Sequence, residues 1–124
     1  MNRIGEWGER VAEKFLQSKG YKILDRNFAV RSARGPQRAE IDIIARKGDL
    51  VVFFEVKTQA DSSRFMVQPE QKVNFQKRAK IIQAAQIWLT QHHVPLNSRW
   101  QVDVITVQFS PTSSKAKVQH FQNI

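Results

Sequence analysis

Asp42, Glu55 and Lys57 are ionisable residues set in apolar surroundings. Asp42 lies in Glu40-Ile41-Asp42-Ile43-Ile44, and Glu55 and Lys57 close the run Val51-Val52-Phe53-Phe54-Glu55-Val56-Lys57. Apolar residues occupy both parities of each run, the pattern of a strand buried on two faces. A charge there costs roughly several kcal/mol unless it is paired or bound to a metal. Phosphodiester hydrolysis gives the three groups a use. Water must be activated, the phosphate neutralised and the leaving oxygen stabilised, and Mg²⁺ or Mn²⁺ held by carboxylates serves all three needs. Mg²⁺ takes oxygen ligands and keeps several waters, so Asp42 and Glu55 suffice if their strands pair, with the carbonyl of Val56 as a third ligand. Lys57 shares the parity of Glu55, about 6–7 Å along the strand. There it can orient or deprotonate the attacking water, or offset phosphate charge. The competing readings are a buried ion pair between Asp42 and Lys57, and a surface strand in which E-x-K is ordinary alternation. The pairs Ile43-Ile44 and Phe53-Phe54 argue against a solvated strand.

These residues need elements to position them. Residues 5–19 read as an amphipathic helix with Trp7, Val11, Ala12, Phe15 and Leu16 on one half of the wheel. Gly8 lies mid-way across that half, where a missing side chain lets the helix approach a sheet, and Glu9 falls at its edge, within reach of a metal. Gly20 ends the helix. Strands are expected over 21–30, 39–46 and 50–58, the last two as a hairpin turning at Lys47-Gly48-Asp49. A second helix runs from Pro69 to about Gln91, with Val73, Ile81, Ala84, Ala85 and Trp88 on its apolar arc and Lys77 projecting into that arc. A strand follows over 99–109, and residues 118–124 form a short strand or a frayed tail. Residues 1–109 are read as one domain and 110–124 as an extension. Arg31, Arg34, Arg38 and Arg64 lie on loops near the strands and, with Lys77, are candidates for phosphate contacts. His92 and His93 end the second helix and are assigned no chemistry.

The chain has 124 residues, of which 41% are hydrophobic, enough for one core. Cysteine is absent, which excludes disulfides, thiolate zinc sites and cysteine nucleophiles. The N-terminal residues lack the apolar stretch of a signal peptide, and no apolar run is long enough to span a bilayer. A cytoplasmic location without membrane association is expected. Twenty Lys and Arg against 11 Asp and Glu give a net charge of +9. A small domain this basic points to a polyanionic partner, nucleic acid first.

The pieces Gly8-Glu9, Gly20-Tyr21, Arg26-Asn27, Glu40-Ile41-Asp42, Glu55-Val56-Lys57, Lys77, Trp100-Gln101-Val102-Asp103-Val104 and His120-Phe121-Gln122-Asn123, in this order and spacing, resemble the YraN-like family of bacterial proteins. That family belongs to the PD-(D/E)xK nuclease superfamily and is similar to archaeal Holliday-junction resolvases. The resemblance implies an α/β fold: a restriction-endonuclease-like α-β-β-β-α-β core with a central mixed sheet flanked by helices. It implies Mg²⁺ (or Mn²⁺) at Asp42 and Glu55, Lys57 as the catalytic lysine and Glu9 as a helix-borne acid. Departures are Ala39 where the family usually has Gly, Gln59 where it often has Arg, and Gln101-Val102-Asp103 in place of Arg-Phe-Asp. Resolvase-like enzymes work as dimers on two symmetric strands, so a homodimer is compatible with the resemblance. The leading expectation is therefore a metal-dependent endonuclease acting on structured or branched DNA, with DNA ahead of RNA. The alternatives are an inactive nucleic-acid-binding module of the same fold, and an adaptor for acidic proteins.

Overall fold

The computed structural model describes residues 3–31, 38–60, 75–110 and 115–123. Helix α1 (Arg3–Ser18) leads into strands β1 (Lys22–Arg31), β2 (Arg38–Lys47) and β3 (Leu50–Ala60). Helix α2 (Phe75–Gln91) then crosses to β4 (Trp100–Phe109), and β5 (Ala116–Phe121) closes the order. The strands form one sheet in chain order, β1-β2-β3-β4-β5, antiparallel at every joint except β3–β4. Parallel neighbours need a crossover, and α2 lies within it. The expected α/β architecture, an α-β-β-β-α-β core with a mixed sheet, is what forms, and residues 116–121 are a strand rather than a frayed tail. The part of the second helix expected before Phe75 lies outside the described residues. Among the described residues no helix is long and apolar enough to cross a membrane.

One helix packs on each face. On the α1 face, Ala12 and Leu16 meet Ile43, Ala45, Val52, Phe54, Ile105 and Val107. On the α2 face, Ile81, Ala84, Ala85, Trp88 and Leu89 meet Ile41, Ile44, Val51, Phe53 and Val102. Val52, Phe53 and Phe54 are all fully buried. A strand covered on both sides needs this continuous apolar run, and removing either phenyl ring costs about 3–5 kcal/mol.

Two glycines fix α1. Gly20 takes φ 92°, the N–H of Gly20 donates to Gln17 O (3.1 Å), and the N–H of Tyr21 donates to Leu16 O (3.0 Å). This is a Schellman stop, in which the left-handed residue suits glycine. At Gly8 an added Cβ would lie 1.9 Å from Thr58 Oγ1. The close approach read from the helix wheel is therefore a backbone-to-β3 contact.

The sheet forks at its centre. β2 pairs with β3 only from Ile43↔Phe54 to Lys47↔Leu50. Beyond that, β2 continues along β1 to Arg38, and β3 continues along β4 to Ala60. At the same level of β1, Asn27 takes φ 50°. Arg26 and Phe28 share a parity, yet Arg26 reaches α1 through Glu13 while Phe28 packs in the α2-side core. Their partners Ile43 and Ile41 divide between the two cores in the same way. Asparagine tolerates the left-handed region better than most side chains. Asp42 stands between Ile41 and Ile43, at this change of face.

Candidate active site

The fork positions the acidic residues. Asp42 accepts a hydrogen bond at Oδ2 from the N–H of Val56 (2.8 Å). A side chain thus takes over where backbone pairing of β2 with β3 has ended. Glu55 precedes Val56 and is only 7% exposed. Asp42 and Glu55 line one cleft of about 250 Å³ with Ala39, Glu40, Lys77, Lys80 and Ile81. The two carboxylates therefore face a common space, contributed by the two arms of the fork.

Lys57 lies 2.8 Å from Glu55 Oε1, and Lys77 of α2 contacts the same oxygen. Glu55 Oε2 is buried and has no hydrogen-bond partner. The ion pair considered from the sequence between Lys57 and Asp42 is instead made with Glu55, as the shared parity of residues 55 and 57 favours. Lys77 points inward as the helix wheel required, and it meets a carboxylate there.

Glu9 is half-buried and opens onto a second cleft of about 230 Å³, on the α1 side, with Glu6, Arg10, Glu13, Arg26, Asn27, Ile43 and again Asp42. Asp42 is common to both clefts, whereas Glu9 lines the α1-side cleft and Glu55 the other. Glu13 forms an ion pair with Arg26, whose Nε donates to Glu13 Oε2 (2.8 Å). That bond, to which the nearby positive charge adds, holds the Glu13 carboxyl below the usual range.

The electrostatics follow from burial. Desolvation pushes the Asp42 carboxyl up to about 7, reinforced by Glu9, Glu55 and Glu40 and opposed by the Val56 N–H. Burial, with Glu40 and Glu6 adding to it, also raises Glu9. Burial lowers Lys57, helped by the charge of Lys77 and resisted by Glu55. Lys77 feels burial in the same sense, but its contact with Glu55 outweighs it and raises its pKa. Two partly buried carboxyls and one depressed lysine around shared clefts form a set of groups tuned away from their ordinary ranges.

Among the described residues, no three His, Cys, Asp or Glu side chains form a group that could hold a metal ion. The fit to a divalent cation rests on two carboxylates instead. Both belong to one cleft, one has a buried oxygen without a partner, and the donors are hard oxygens. Mg²⁺ commonly binds to one or two carboxylates and completes its shell with water, so this donor set fits. Arg31 and Arg38 are not on a loop as expected: they end β1 and begin β2 and pair with one another, while Arg34 and Arg64, and the side chains of all four, lie outside the described residues.

Residues 8–107 match UPF0102, an uncharacterised protein family. The chain belongs to that family. UPF0102 proteins from Syntrophomonas wolfei (38% identical, covering 99% of this chain and 98% of the relative), Alkaliphilus oremlandii (37%, 98% and 96%) and Roseiflexus castenholzii (33%, 95% and 89%) are similar along nearly their whole lengths. The YraN-like resemblance is borne out at this level.

The sequence reading missed a second buried polar cluster. Asp103 is fully buried on β4. Gln101 Nε2 donates to its Oδ1 (2.9 Å), as does the N–H of Asn123 (2.7 Å), and His120 Nε2 lies 2.7 Å from Oδ2. His120 meets the rings of Tyr21 and Phe54. Two of the quoted segments, Gln101-Val102-Asp103 and His120-Phe121-Gln122-Asn123, are thus one structural unit. Asn27 entered the sequence reading only within Arg26-Asn27 and without a role, because nothing in a strand pattern announces a change of face.

Proposed function

We propose that this UPF0102 protein is a metal-dependent nuclease that hydrolyses phosphodiester bonds, with structured or branched DNA as its substrate. The observation that supports this reading most is the shared cleft: Asp42 and Glu55 open onto one space, and Lys57 stands on Glu55. Asp42 and Glu55 would hold the ion, with the Val56 carbonyl as a further ligand. When bound, Mg²⁺ or Mn²⁺ supplies charge neutralisation and a more acidic water. Asp42 is fixed by the Val56 N–H, which keeps one of its oxygens in register with β3. Lys57 has a lowered pKa and lies beside Glu55, where it can orient the attacking water or take its proton. Glu9 reaches the Asp42 region from the α1 side and acts as a positioning acid. The net charge of +9 and the arginines at 31, 34, 38 and 64 would hold the phosphate backbone. The preference for branched DNA, and a homodimer to match two scissile strands, follow from the resolvase resemblance.

A second reading is an inactive nucleic-acid-binding module of the same fold, which the net charge of +9 supports without any bound ion. A cleavage screen over duplex, flap, single-stranded and four-way DNA in Mn²⁺ separates the two. The nuclease reading expects nicking that chelation abolishes and that Lys57→Ala lowers by about 10²-fold or more, with DNA affinity largely retained. Equal nicking by wild type and Lys57→Ala would sink the assignment. Binding with a steep salt dependence and no cleavage in any metal would select the inactive module.

A further inference from the structure

Glu55 carries an uneven load. Its Oε1 receives both Lys57 and Lys77, while its Oε2 is buried and bare. Two ammonium groups on one oxygen repel one another, and the arrangement concentrates positive charge where a cation would sit. The two lysines are not equivalent. Lys57 is two residues along the same strand and its side chain is 22% exposed. Lys77 reaches in from the opposite wall of the cleft, on α2, and its side chain is 40% exposed. A long, half-exposed stem at the mouth of a cleft can swing outward, whereas Lys57 is confined by its strand.

We propose that Lys77 is a tethered cation that keeps the place of the divalent ion at Glu55, yields it when the ion enters, and then turns to the incoming phosphodiester. The inference deepens the nuclease reading and rests on it. Before loading, Glu55 masks the charge of Lys77 from nucleic acid. After loading, the cleft has exchanged one ammonium for a doubly charged ion and has freed the ammonium as well. Metal and DNA then favour each other's binding, and by linkage the effect is reciprocal.

The test is calorimetric titration of Mn²⁺ into the full chain as wild type, Lys77→Met, Lys77→Gln, Lys77→Arg and Glu55→Gln, with thermal melts confirming that each is folded. Removing a half-exposed competing charge should tighten Mn²⁺ binding roughly fivefold in both neutral variants. Lys77→Arg should stay near wild type, and Glu55→Gln should lose the ion. With Ca²⁺ in place of Mn²⁺, wild type should gain more affinity for a DNA duplex than Lys77→Met does. Unchanged or weaker Mn²⁺ binding by both neutral variants means the Lys77 contact is only structural, which overturns the proposal and leaves the nuclease reading standing. An equal gain in DNA affinity removes the hand-over to phosphate. Failure of every variant and of wild type to bind Mn²⁺ removes both readings together.

Discussion

Asp42 illustrates what burial does to a single group. Its folded carboxyl titrates near 7, above the ordinary range of about 4 for a carboxyl in an unfolded chain. Protonation is therefore favoured by folding. The stabilising contribution is complete below about pH 4 and is lost as the pH rises through 7. Asp42→Asn keeps an acceptor for the Val56 N–H and removes the charge. Melting curves without metal should show the variant several degrees more stable than wild type at pH 8 and little different at pH 5. Added Mn²⁺ should reverse the order at pH 8, because the ion stabilises only the chain that binds it. A variant destabilised at pH 8 without metal would mean that Asp42 is held by contacts the charge needs. The chemistry at residues 42, 55 and 57 was legible in the sequence because charges interrupted runs that were apolar on both parities. The same logic passed over Asp103. In Trp100–Phe109, Gln101 and Asp103 fall on one parity and Thr106 and Gln108 on the other, so neither face reads as continuously apolar, yet Asp103, Thr106 and Gln108 are buried. A pattern cannot reveal a carboxylate whose partners arrive from a strand elsewhere in the chain.

At the scale of elements, the contact between α1 and β3 decides whether the site keeps its shape. Gly8 and Thr58 touch at a distance no Cβ can share, one residue from Glu9 and one from Lys57. Gly8→Ala forces the helix away from the strand and should cost on the order of 2 kcal/mol despite the better helix propensity of alanine. Thr58→Ala removes the nearest atoms. In a double-mutant cycle followed by denaturant unfolding, the pair should recover a substantial part of the loss. Strict additivity would show that the two residues do not constrain one another. The helix wheel made this glycine legible. The fork of β2 and β3 was not, because the hairpin pattern is regular up to and beyond the point of separation. At the point of separation Val56 donates to the Asp42 carboxylate, and Asn27 on β1 has a left-handed backbone, and a strand pattern encodes neither.

For the molecule as a whole, β5 completes the sheet as well as extending it. Asp103 is fully buried, and three groups satisfy it: Gln101 on its own strand, and His120 and Asn123 from the C-terminal segment. Removing residues 116–124 leaves a buried carboxylate with one partner and uncovers an edge of β4. The loss should be about 3–5 kcal/mol, a large part of the stability of a domain this size. The truncated chain should show broadened or absent thermal transitions by circular dichroism. His120→Asn, which keeps a donor, should fall between it and wild type. A truncation that melts like the full chain would show that β5 is dispensable.

The neighbour order of the strands also bears on how the chain is made. Because each strand lies beside the one synthesised just before it, the sheet can grow in the direction of translation, with one delay while α2 loops back to set β4 against β3. That growth leaves one debt open to the end, since β4 would bury its aspartate before the histidine that answers it has left the ribosome. Commitment to the native state therefore waits on β5, and a nascent chain with β4 but not residue 120 clear of the ribosome should remain a substrate for chaperones and proteases.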